Sequence, residues 1–64
     1  MNYYKDYFLR YIFANEATRE ASRKHWLKCH AENVLSGRED LIIFSAKILA
    51  SISLADDMLE KLDA

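Results

Sequence analysis

Sixty-four residues with 52% hydrophobic side chains, one glycine and no proline point to one small helical domain, too apolar for a disordered segment and too poor in turn residues for a many-stranded sheet. Nine basic against ten acidic residues leave a formal net charge of -1, which excludes a whole-chain field drawing the protein onto nucleic acid or an anionic membrane. A chain this short buries a smaller fraction of its surface than a larger domain does, so a homo-oligomer is expected.

The first segment, "MNYYKDYFLRYIF", carries an acidic residue among its aromatics and lacks a small-residue cleavage site, which argues against a signal peptide. The single cysteine, Cys29, has no internal disulfide partner, and the protein is read as cytoplasmic and reduced. A first helix is predicted over about 2–35, followed by a turn at 36–38 and a second helix over about 39–62. At 1.5 Å per residue these would be about 50 Å and about 36 Å long. The shorter helix therefore leaves Tyr3, Tyr4, Tyr7, Phe8, Tyr11, Ile12 and Phe13 beyond its end, on or near one helical face. Two arrangements cover them. Either the chain breaks near 14–15, with Asn15 as N-cap, and the aromatic helix folds back, or helix one stays straight and a second subunit supplies the cover.

Helix one shows one stripe at helical spacing: Tyr4, Phe8, Tyr11, Asn15, Thr18, Ser22, His25, Trp26 and Cys29. The polar residues in its middle are expected to fix register, the alternative being that they border a partner groove. The basic segment "REASRKHWLK" places Arg19, Arg23, Lys24 and Lys28 around Trp26, the composition of a helix that contacts RNA or DNA phosphates. On the wheel, however, the two arginines fall on one flank and the two lysines on the other. Next comes "KHWLKCHAEN", which gathers both histidines, the cysteine and the tryptophan. His25 and Cys29 are four apart with His30 adjacent, a spacing from which one metal ion can be shared. A structural zinc site needs four ligands and no second cluster exists, so packing is the expected role, with Trp26 as core or interface anchor.

Gly37 is expected to close the first helix in the left-handed conformation, while Ser36 and Glu39 have capping-box spacing for the second; only one of the two geometries is needed. The second helix has a seam at Leu41, Ser45, Ile48, Ile52, Ala55, Leu59 and Leu62. Ile42, Ile43, Ala46, Leu49, Ala50 and Leu54 lie off it, so this helix is apolar nearly all round and must be covered on several sides. With Lys47 in its middle, the run from Leu41 to Ala55 is too short to span a membrane.

In length and layout alone, and on no specific residue, the chain resembles the small plasmid-encoded helical hairpins of the RNA-one-modulator type, which dimerise into four-helix bundles and bind RNA loops. The residues carry no glycine-rich phosphate loop, no Gly-x-Ser-x-Gly turn and no His-Glu-x-x-His pair. The expectation is an all-α antiparallel helical hairpin of two or three helices that pairs into a homodimeric bundle. No enzyme activity, cofactor or small-molecule substrate is expected. Its expected role is that of a regulator, adaptor or inhibitor binding another protein through Tyr3, Tyr7, Tyr11, Trp26, Ile42 and Leu49. The alternative is an RNA- or DNA-binding dimer using Arg19, Arg23, Lys24 and Lys28.

Overall fold

The computed structural model describes residues 3–63, and their side chains from 4 to 62. Three helices follow one another: α1 (Tyr3–Phe13), α2 (Glu16–Ser36) and α3 (Glu39–Asp63). Of the two arrangements open to the aromatic segment, the fold-back is realised. The chain goes up, down and up again: Tyr4 of α1 stacks near Phe44 at the start of α3, and Tyr11, near the end of α1, bonds Asp56 towards the end of α3. Helix α1 therefore runs alongside α3 in the same direction, with α2 antiparallel to both.

Local chemistry explains both breaks. Asn15 is extended (φ -78°, ψ 168°), and its side chain accepts the Thr18 N–H at 2.8 Å while its carbonyl accepts the Arg19 N–H at 3.0 Å. The Ala14 N–H closes α1 on the Tyr11 carbonyl, and the Arg19 guanidinium donates to the Ala14 carbonyl, so the polar groups of the bend find partners. At the other break Gly37 sits at φ 72° and donates its N–H to the carbonyls of Asn33 and Val34. The glycine cap is the geometry used. Ser36 belongs to the last turn of α2, where its hydroxyl donates to the Asn33 carbonyl, and the capping box does not form.

The core lies along α3. Ile48, Ile52 and Ala55 are buried with Tyr11 and the hydroxyl-bearing Ser45, and Tyr4, Tyr7, Phe8, Ile12, Trp26, Phe44 and Leu59 pack around them. Burying each isoleucine stabilises the fold by about 1.5–3 kcal/mol, so two of them make a slender core. The expected seam of α3 is therefore buried at its centre, but Leu62 at its end is 77% exposed. Past Asn15 the stripe of helix one survives only in part: Trp26 packs against the core and Ser22 and Cys29 are half-buried. No residue of α2 is fully buried, and Thr18 and His25 are exposed. The bend at 14–15 resets the helical phase, so α2 turns Arg23, Trp26, His30 and Asn33 towards its neighbours instead.

No described helix is long and apolar enough to cross a membrane. The accessible surface, 4863 Å², exceeds by about 600 Å² the ~4,250 Å² typical of a compact monomer of this mass.

Candidate functional site

Two polar clusters and one aromatic cluster hold the helices together, and between them they absorb most of the residues that carry chemistry. At one end, the Tyr11 hydroxyl donates to Asp56 Oδ1 at 2.5 Å, and Arg23 donates to the Tyr11 oxygen (2.8 Å) and to Asp56 (3.2 Å). Arg23 also reaches Glu16 at 3.2 Å, as does Arg19 at 2.9 Å. One network thus joins all three helices. Burial, and next the Asp56 carboxylate, raise the Tyr11 phenol above its ordinary range; the hydrogen bonds from Arg19 and Arg23 hold the Glu16 carboxyl below its own.

Near the turn, Ser45 is fully buried. Its hydroxyl lies 3.0 Å from the Leu41 carbonyl and 3.1 Å from that of Ile42, and it meets His30 Nδ1 at 2.7 Å and Asn33 Nδ2 at 3.3 Å. Asn33 also donates to the Leu41 carbonyl at 3.1 Å. This α2–α3 contact fixes register through a polar position, the task expected of Asn15, Thr18 and Ser22. Those three are instead a cap and two residues beside a groove. Among the described residues no buried side-chain nitrogen or oxygen lacks a partner.

The "KHWLKCHAEN" stretch divides. Trp26 sits edge-on to Tyr7 (5.9 Å, 88°) and tilted against Phe44 (5.9 Å), tying α1, α2 and α3 at mid-height. His25 lies edge-on to Trp26 at 5.4 Å but is exposed, contrary to the expected packing role; its Nε2 is 3.5 Å from Cys29 Sγ. The third candidate ligand, His30, turns to Ser45. No group of three or more metal-ligating side chains gathers among the described residues.

The basic segment divides as well. Arg19 and Arg23 are held in the network with Glu16 and Asp56, Lys24 pairs with Glu20 at 3.3 Å, and Lys28 makes no ion pair with a described residue. The signal for this was present in the sequence, since Glu16 is three residues before Arg19 and seven before Arg23, but Asp56 is a long-range partner that no local pattern announces.

A groove of about 240 Å³ between α1 and α2 is lined by Tyr7, Arg10, Tyr11, Ala14, Thr18 and Ser22. It is smaller than the roughly 300–1,000 Å³ of small-molecule sites. Of the interface candidates, Tyr11 is in the core and Tyr7, Trp26, Ile42 and Leu49 are half-buried; the side chain of Tyr3 lies outside the described residues. The large apolar residues left in water are others: Leu27, Val34 and Leu35 on α2, Ile43, Leu54, Met58 and Leu62 on α3, and Leu9 and Phe13 on α1.

These outer residues make two faces. On α2, Leu27, Ala31, Val34 and Leu35 recur at helical spacing beside Lys24 and Lys28. On α3, Ile43, Ala46, Ala50 and Leu54 are all exposed, on the side opposite Ile48, Ile52 and Ala55. In comparisons with known proteins, no family model, no curated protein and no solved structure matches the chain.

Proposed function

We propose that the protein is a non-enzymatic interaction module, a helical homo-oligomer that binds another protein as a small regulator, adaptor or inhibitor. One observation carries this reading. After the chain has folded on itself, two helices still present separate apolar faces to water, on a surface about 600 Å² larger than a compact monomer needs. Two faces suit two tasks, self-association and capture of a partner. The α2 face, edged by Lys28 and by Lys24 in its pair with Glu20, suits an apolar partner surface with an acidic group opposite Lys28.

The nucleic-acid reading has less support, because Arg19 and Arg23 would have to leave Glu16 and Asp56 to reach phosphates.

Light scattering and titration with an environment-sensitive apolar dye test the proposal. The expected result is a mass above the 7.5 kDa of one chain, together with dye binding that falls when Leu27 and Leu35 are both replaced by Asp. A monomer that binds no dye would overturn it.

A further inference from the structure

We infer that the occupant of the outer face of α3 is the α3 of a second copy, antiparallel to the first, with the two-fold axis passing between Ala50 and Leu54. The inference rests on the self-association proposed above and assigns it a face, a symmetry and a register.

The face has the spacing of a helix-pairing seam. Ile43, Lys47, Ala50, Leu54, Asp57 and Lys61 follow one another at intervals of four, three, four, three and four, and every one of them is exposed. That alternation keeps a row of side chains facing one partner helix along its length. Ile43 and Leu54 are 49% and 57% exposed, so the apolar part of the seam is uncovered by α1 and α2. Surface helices bury such stripes.

An antiparallel two-fold pairing turns the seam onto itself, and each residue then meets one whose number completes a fixed sum. With the axis over position 52, Ala50 meets Leu54 of the second copy, Lys47 meets Asp57, and Ile43 meets the aliphatic stem of Lys61. Small faces large at the centre, so the helices approach closely without a void. Positive faces negative on either side of it, twice by symmetry. Asp57 and Lys61 make no ion pair with a described residue, which leaves Asp57 available. A parallel pairing would set Lys47 against Lys47 and Asp57 against Asp57.

Charge reversal tests the register. Lys47 and Asp57 are ten residues apart on one helix, about 15 Å along its axis, so they do not meet within a chain. Either single reversal, Lys47→Asp or Asp57→Lys, is expected to weaken self-association about tenfold, since each turns two symmetry-related attractions into repulsions. The double reversal, Lys47→Asp with Asp57→Lys, is expected to restore it to within about threefold of the parent, a recovery that loss of the Lys47 cation over the Tyr4 ring (5.7 Å) would not produce. Sedimentation equilibrium reads all four proteins, with circular dichroism confirming helix content.

Disulfide trapping supplies the second measurement. In a Cys29→Ser background, chains carrying Ala50→Cys mixed with chains carrying Leu54→Cys should cross-link to each other faster than either does to itself. An oligomer whose affinity ignores these charges, or a double reversal no better than the singles, overturns the register while self-association stands. A monomer at every concentration overturns both.

Discussion

At the scale of single residues, Tyr11 has the most consequences, because its ring fills the core while its hydroxyl anchors the three-helix network. Tyr11→Phe keeps the ring and removes one hydrogen-bonding group, leaving Arg23 and Asp56 paired at 3.2 Å. The expected cost is about 1 kcal/mol in chemical denaturation. The same residue shapes the alkaline limb of the stability profile. A phenol raised in the folded state contributes stability that is complete below its ordinary value of 10.0 and is lost as pH climbs through the folded value. Glu16 acts in the opposite direction: lowered by Arg19 and then Arg23, it contributes stability present above its ordinary 4.5 and lost as pH falls. Denaturation midpoints measured across pH should therefore decline at both ends. Tyr11→Phe should flatten the alkaline limb and Glu16→Gln the acid one; unchanged limbs would mean the network is not formed in solution.

At the scale of elements, the stop at Gly37 and the inner seam of α3 were legible, the break at Asn15 was one of two open arrangements, and the inward side of α2 was not legible. Asn15 and Gly37 act through their own side chain or backbone freedom, within four residues, so the sequence exposes both stops. Which side of α2 faces inward depends on how the chain bends at 14–15, and a wheel drawn through the bend carries the phase of α1 into a helix that does not share it. Trp26 survives the error because its large ring reaches Tyr7 and Phe44. His25 and Thr18 do not, while Asn33, which meets Ser45, continues the stripe four residues past Cys29 and His30 lies at its edge, four past Trp26. Asp56 was hidden for another reason, being 33 residues from Arg23 in sequence. The two stops also differ in how they fail. Asn15→Ala loses the side-chain acceptor for Thr18 N–H and should cost about 1 kcal/mol, whereas Asn15→Ser, which keeps an acceptor, should cost much less. At Gly37 an added Cβ meets nothing within 4 Å, so Gly37→Ala carries only the penalty of the left-handed conformation, about 1–2 kcal/mol. Thermal melts of the three variants order them, and a harmless Asn15→Ala would show that the bend is held by α1 packing alone.

At the scale of the whole molecule, α3 is a helix used on two sides. Its inner face supplies Ile48, Ile52 and Ala55 to a slender core, and its outer seam supplies Ile43, Ala50 and Leu54 to solvent. The near all-round apolar character that marks this helix in the sequence is thus half satisfied by the chain itself. A domain with so little core gains stability by covering the other half, and a contact made only between folded chains raises the apparent stability by mass action. The melting temperature should therefore rise with protein concentration over a hundredfold range. Leu54→Asp should abolish that dependence while leaving the melt at the lowest concentration nearly unchanged, because Leu54 is 57% exposed in the single chain. Ile48→Ala provides the contrast: its side chain is fully buried, so the melt should fall at every concentration, by the roughly 2–5 kcal/mol of a core truncation. If Leu54→Asp lowered the melt equally at all concentrations, the outer face of α3 would belong to the fold of the single chain and not to its assembly.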